Sequence, residues 1–210
     1  MRVALLSDVH ANLPALEACL TAAARAGADR LAFLGDLVGY GPDPEAVMLR
    51  VAPLIQSGAI AVLGNHDYDK KSIPRLYLDS FALAENGPKG LAKERAYSFE
   101  YANAIFVILD SNDDLDEQTP WMDDVLSKTK ATWKFAVYHH PAFSSAPDRN
   151  NRYVRNNWGA VFDKYHVDFA LQGHDHAYLR TYPMKGGKRV ASAKDGTYYV
   201  VSVTGTKYYE

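Results

Sequence analysis

The stretch "RVALLSDVH", Arg2–His10, is an apolar run that stops abruptly at Ser-Asp. It has no long apolar core and no cleavage site, so it reads as a first core strand and not as a signal peptide. The next segments repeat the pattern. "LPALEACLTAAARAG" (13–27) has helical periodicity, with Pro near its start and Gly27 at its end. "RLAFLGD" (30–36) reads as a second strand, "DPEAVMLRVAPL" (43–54) as a second helix and "AIAVLGN" (59–65) as a third strand. This βαβαβ rhythm implies parallel strands joined by right-handed crossovers. All three strands end in Asp or Asn, and open α/β sheets bind ligands at the carboxyl ends of their strands.

Outward from there the chain is less regular. Residues 68–96 read as irregular or helical cover. "YSFEYA" and "AIFVILD" suggest a hairpin turning at Ala102-Asn103. A helix is expected over 117–130, a strand over 133–140, a helix over 152–166 and a strand over 168–174. The tail to Lys207 is β-rich, with turns at Gly186-Gly187 and Asp195-Gly196. No repeat, low-complexity tract or linker divides the chain, so a single α/β domain over 1–210 is expected.

Bulk composition narrows the class. The 210 residues are 48% hydrophobic and 23% charged, which suits a folded globular protein. Net charge is −2 with no basic tail, which disfavours a dedicated nucleic-acid binder. No segment approaches membrane-spanning length. A single cysteine, Cys19, rules out an internal disulfide and suits a reducing, cytoplasmic compartment. Its place in an Ala-rich helical pattern marks it as buried and inert.

The polar strand ends carry the chemistry. They supply Asp8 and His10, Asp36, then Asn65, His66 and Asp67, then His139 and His140, and last His174 and His176 in "LQGHDHAYLR". Six of the seven histidines fall at strand ends; only His166, read as structural, does not. Oxygen and nitrogen donors without sulfur suit Mn, Fe or Zn. There are too many donors for one ion and enough for two, and a carboxylate with two oxygens can bridge them. The plainer reading of Asp8 or Asp36 alone is a helix cap. His140 reads as a neighbour of the site that is not a ligand, and Gly35, Gly64 and Gly173 as tight-turn positions.

In order, D-x-H, G-D, G-N-H-D, H-x-P and G-H-x-H resemble the calcineurin-like metallophosphoesterase superfamily through nearly the whole chain. "SDVHANLPALEA", "GDLVGYGPDPEAV" and "LGNHD" are similar to small cytosolic phosphoesterases. From Tyr97 on, "YSFEYANAIFVILDS", "HHPAFSS" and "LQGHDHAYLRTYP" are similar to the purple-acid-phosphatase-like branch. The resemblance implies a β-sandwich flanked by helices and a two-metal site. Asp8, His10, Asp36 and His176 would hold the first ion. Asp36 would bridge to a second, completed by Asn65, His139 and His174. A metal-bridging hydroxide would attack a phosphomonoester or phosphodiester, with His66 as general acid and Asp67 orienting it. Asn65, His140, Arg149 and Arg152 are candidate phosphate contacts, with Arg155 beside them; for the three arginines, at a helix start, solvated surface is the equal alternative. The purple branch places a metal-binding Tyr three residues after its bridging Asp. Tyr40 comes four after Asp36, so no tyrosinate–iron colour is expected. That branch also continues past the last strand seen here, so a sheet edge open to oligomerisation is expected. The competing reading is a non-catalytic, metal-binding interaction scaffold of the same fold.

Overall fold

A computed structural model describes residues 2–69, 73–113 and 115–203. The three N-terminal apolar runs form β1 (Val3–Leu6), β2 (Arg30–Phe33) and β3 (Ile60–Ala61), parallel and in that order. They are joined by α1 (Leu13–Arg25) and α2 (Pro44–Gln56). The Asn12 side chain accepts from the Ala15 N–H and so caps α1, and Pro lies in the first turn of both helices, where no N–H is needed. β3 is shorter than the run 59–65 suggests. Val62 N–H still reaches the Phe33 carbonyl, but Asn65–Asp67 then winds into a 3₁₀ turn. Within 68–96 the described residues hold one short helix, α3 (Arg75–Ser80).

The second sheet comes from the rest of the chain. The expected hairpin is β4 (Tyr97–Tyr101) and β5 (Ala104–Ile108), turning at Ala102 with φ 53°. Then come α4 (Leu115–Lys128), β6 (Trp133–Val137), α5 (Arg152–Tyr165), β7 (Phe169–Gln172) and β8 (Leu179–Arg180). β9 (Met184–Lys185) and β10 (Lys188–Arg189) make a small hairpin across Gly186-Gly187, and β11 (Tyr198–Val201) closes the set. The sheet order is β4-β5-β6-β7-β11-β8. Its register is marked by a row of stacked rings: Phe99 on Phe106, Phe106 on Phe135, Phe135 on Phe169 and Phe169 on Tyr198, with centroids 5.1, 4.8, 5.7 and 5.6 Å apart. Each pair is directly opposite across neighbouring strands, the closest side-chain relation a sheet offers. The strand expected to run to Lys207 lies partly outside the described residues.

The two sheets face each other. Ala32, Leu34, Ile60 and Val62 of the first pack on Phe106, Ile108, Val137 and Leu171 of the second. α1 and α2 cover the outer side of the first sheet through Leu16, Leu20, Val47 and Val51. α4 and α5 cover the second through Met122, Leu126, Trp158 and Phe162. The result is the expected helix-flanked β-sandwich. Leu16, Phe33 and Met122, all within 1% of full burial, each contribute about 1.5–3 kcal/mol by leaving water. Cys19 is half-buried, not fully buried as expected, and burial pushes its thiol pKa up, which keeps it unreactive. Among the described residues, no helix is long and apolar enough to cross a membrane.

Candidate metal centre

The strand pairing carries the polar residues to one edge of the sandwich. Asp8 N–H bonds the Gly35 carbonyl, His10 N–H the Asp36 carbonyl and Gly173 N–H the His139 carbonyl. The loop after β1 is thereby laced to that after β2, and the loop after β6 to that after β7; His174 N–H on Asp8 Oδ2 joins the two pairs. Asp8, His10, Ala11, Asp36 and His174 all take left-handed φ values, 51–68°. Such non-glycine geometry costs on the order of 1–3 kcal/mol per residue and persists where surrounding contacts over-determine it. Gly35 has φ 97°, and a Cβ there would lie 2.5 Å from His139 Nδ1. Gly173 is needed for a different reason: its backbone is not left-handed, but a Cβ would strike Ser7 Oγ and sit 2.8 Å from the Leu34 carbonyl. The turn role expected of the three glycines applies to Gly35; Gly64 and Gly173 permit close approach.

Two triads of donors result. In the first, Asp8, His10 and His176 are all buried, with His10 Nε2 and His176 Nε2 3.4 Å apart and 3.8 and 3.5 Å from Asp8 Oδ1. In the second, Asp36 Oδ2 and His174 Nδ1 lie 3.2 and 3.1 Å from His139 Nε2. Asn65 Oδ1 joins the second at 3.2 Å from His139 Nε2. Asp36 Oδ2 is also 3.9 Å from His10 Nε2, so this carboxylate stands between the triads.

The donor set fits divalent or trivalent metal ions. Asp8 Oδ2 accepts from Ser7 Oγ–H and His174 N–H, while its Oδ1 is buried without a hydrogen bond and faces the two imidazoles. Such an orphan acceptor asks for a cation. His139 Nδ1–H donates to the Leu34 carbonyl at 2.8 Å, which fixes the tautomer and turns Nε2 toward the centre. Burial lowers the pKa of His10 and, with the His139 and His140 charges, takes His174 down to about 2, so both rings stand neutral and ready to ligate. Burial opposes ionisation of Asp36, but the His139 charge outweighs it and holds the carboxyl below the usual range. The same pairing overcomes burial at His139 and lifts it to about 9.

His66 lies at the rim, half-buried, with its ring 5.1 Å from that of His10. Its backbone N–H donates to Asp36 Oδ1 at 2.8 Å. Asp67 does not orient it: the Asp67 carboxylate is buried and accepts from the backbone N–H groups of Asp36, Val38 and Gly64. It clamps the Asp36 loop to the Asn65 loop, and burial together with the Asp36 charge pushes its carboxyl up to about 7. His140 packs its ring 4.4 Å from that of His174, with Nδ1 3.0 Å from Ser111 Oγ.

The arginines separate. Arg149 pairs with buried Asp175, and its charge reaches far enough to depress His140 and His174. Arg152 is exposed in the first turn of α5. Arg155 donates to the Ala142 carbonyl and to Asn150 Oδ1 and lies 5.2 Å over the Phe143 ring. Two acids escaped the sequence reading. Asp175, the middle residue of His-Asp-His, gathers Ser144, Ser145 and Ala146 as well as Arg149. Asp110, at the end of β5, accepts from Tyr68 and from Arg95 Nε at 2.8 Å and ties the residue after Asp67 to the second sheet. Both end apolar runs as the ligands do; a nearby arginine is the signal that separates them.

A calcineurin-like phosphoesterase family model matches residues 1–178. An uncharacterised protein of Mycobacterium tuberculosis is 29% identical over 147 residues, 59% of this chain and 28% of that protein. An acid phosphatase of Aspergillus ficuum is 34% identical over 89 residues, 40% of this chain and 14% of that protein. The purple acid phosphatase of yellow lupin (Lupinus luteus) seeds has the same fold, with a TM-score of 0.72 at 20% identity over 96% of this chain and 43% of that one. The chain spans well under a third of the length of these two curated relatives.

Proposed function

The chain belongs to the calcineurin-like phosphoesterase family, and from that premise we propose that it hydrolyses phosphate monoesters, diesters or both. The observation that carries the reading is the pair of buried triads with Asp36 between them. Asp8, His10, Asp36 and His176 would hold one ion, and Asp36, Asn65, His139 and His174 the other, drawn from Mn, Fe or Zn. Such a pair, when bound, supplies positive charge to the phosphoryl oxygens and a water acidic enough to attack near neutral pH.

The chain's own groups do the rest. His66 donates a proton to the departing ester oxygen, the task its place beside His10 suits. Asn65, His140 and Arg149 border the second triad and orient the phosphate; Arg152, exposed in the first turn of α5, is the fourth candidate contact. Asp67 and Asp175 hold the loops and leave the chemistry to others. We read residues 1–210 as one catalytic domain, supported by the core that both sheets share. The lone cysteine and the charge of −2 favour a cytoplasmic protein acting on a small ester, without a dedicated nucleic-acid surface.

The test is turnover of p-nitrophenyl phosphate and bis(p-nitrophenyl) phosphate by protein loaded with Mn²⁺ or Zn²⁺. Metal-dependent release of nitrophenol is expected, and chelator abolishes it. A protein that takes up two ions and turns over neither ester is the non-catalytic scaffold instead.

A further inference from the structure

Tyr40 stands apart from the exposed side chains of the molecule. It is 67% exposed, yet its ring lies 4.8 Å from that of His10 and 4.6 Å from that of His66. Its backbone is fixed on both sides. Val38 N–H is held by Asp67 Oδ1, Gly41 N–H by the His10 carbonyl and Asp43 N–H by the Ala11 carbonyl. Gly41 has no alternative, since a Cβ there would strike the His10 carbonyl oxygen. The ring is thus a pre-set flat surface beside the candidate proton donor, most of it facing solvent.

We propose that Tyr40 is a stacking platform for the leaving group, and that the site prefers phosphate esters whose leaving group is an aromatic ring attached at the ester oxygen. The inference rests on the phosphoesterase reading. If His66 protonates the departing oxygen, that oxygen lies beside His66, and the group it carries extends over the ring that touches His66. An alkyl group gains little there, whereas a flat ring stacks. Stacking on an aromatic side chain contributes on the order of tenfold to a hundredfold in affinity.

The test uses metal-loaded full-length protein with phenylphosphonate and methylphosphonate, neither of which is hydrolysed, read by calorimetry. Wild type is expected to bind phenylphosphonate about tenfold tighter than methylphosphonate. Tyr40→Ala loses most of that ratio and Tyr40→Phe keeps it. In turnover, the ratio of phenyl phosphate to ethyl phosphate should fall about tenfold in Tyr40→Ala. Adenosine 5′-monophosphate against ribose 5-phosphate tests a ring held further out, and a larger effect there would replace the aryl assignment with a nucleotide one. No phenyl preference in wild type, or an equal loss for both phosphonates in Tyr40→Ala, overturns the platform; the second result makes Tyr40 a brace for His10 and His66. A phosphonate preference without turnover of any ester leaves the platform standing and removes the phosphoesterase reading.

Discussion

Asp8 and Asp36 are buried carboxylates on the loops after neighbouring strands, and both adopt left-handed φ. Their inward oxygens nevertheless meet different company. Asp36 Oδ1 takes the His66 N–H and Oδ2 pairs with His139, which is also approached by Asn65 and His174. Asp8 Oδ1 has no hydrogen bond and faces two imidazole nitrogens at 3.5 and 3.8 Å. The second triad compensates its own charge; the first leaves an acceptor unsatisfied, at a cost of about 1–3 kcal/mol. The contrast teaches where a cation brings most. At the first triad it supplies a missing partner, whereas at the second it replaces contacts already made. Stepwise uptake, first triad first, is the consequence.

The sharpest way to break this contrast is Asp36→Asn. Asp36 lies between the triads, so its loss should weaken both, beyond the roughly 10–100-fold that loss of a supporting hydrogen bond costs. Metal content and turnover should fall together. One ion retained at full affinity per chain would show that the triads are independent and that the carboxylate is not shared.

His66→Ala sharpens it from the other side, because His66 touches the first triad by its ring and the second by its backbone. The backbone bond to Asp36 survives the substitution, so both ions should stay. kcat should drop by about 10²–10⁴-fold, the usual loss for a general acid, and by less for esters with good leaving groups. Equal losses on p-nitrophenyl and ethyl phosphate would reassign His66 to phosphate binding.

How much of this could be read from the chain depends on the kind of contact. The βαβαβ start was legible because its apolar runs and helix caps are local. The triads were legible because Asp8, His10, Asp36, His139, His174 and His176 each follow an apolar run; that these runs fall in two facing sheets, whose strand ends meet at one edge of the sandwich, was not. Which oxygen of Asp8 is orphaned was not legible, because it depends on Ser7 and on the backbone of His174, 166 residues away. Asp67 misled for a related reason. Its place beside His66 suggested a side-chain partner, but three backbone N–H groups from two loops converge on it. For Arg155, helix position does not say which way a long side chain turns, and here the Ala142 carbonyl and the Phe143 ring hold it.

The smallest effect is read in melting temperature and compares Asp8→Asn with Asp36→Asn, each in chelator and in excess Mn²⁺. Asp8→Asn keeps one oxygen for Ser7 and His174 and turns the orphan position into an amide N–H₂ facing His10 Nε2 and His176 Nε2, both able to accept when neutral. Replacing a buried acceptor that has no hydrogen bond by a donor that faces two acceptors should leave the chelated protein as stable as wild type or about 2–4 °C higher, roughly 1 kcal/mol for a chain of this size. Asp36→Asn removes the anion that pairs with His139, so its chelated form should melt lower. In Mn²⁺ the order reverses for Asp8→Asn. Each filled site at 100 times its Kd contributes about 2.7 kcal/mol, and this variant forfeits the share of the first triad while wild type keeps it. The carboxylate would then trade stability of the empty fold for affinity at the filled one. If both variants melt lower than wild type by the same amount in chelator, Asp8 Oδ1 is no more strained than Asp36, and the contrast between the triads fails.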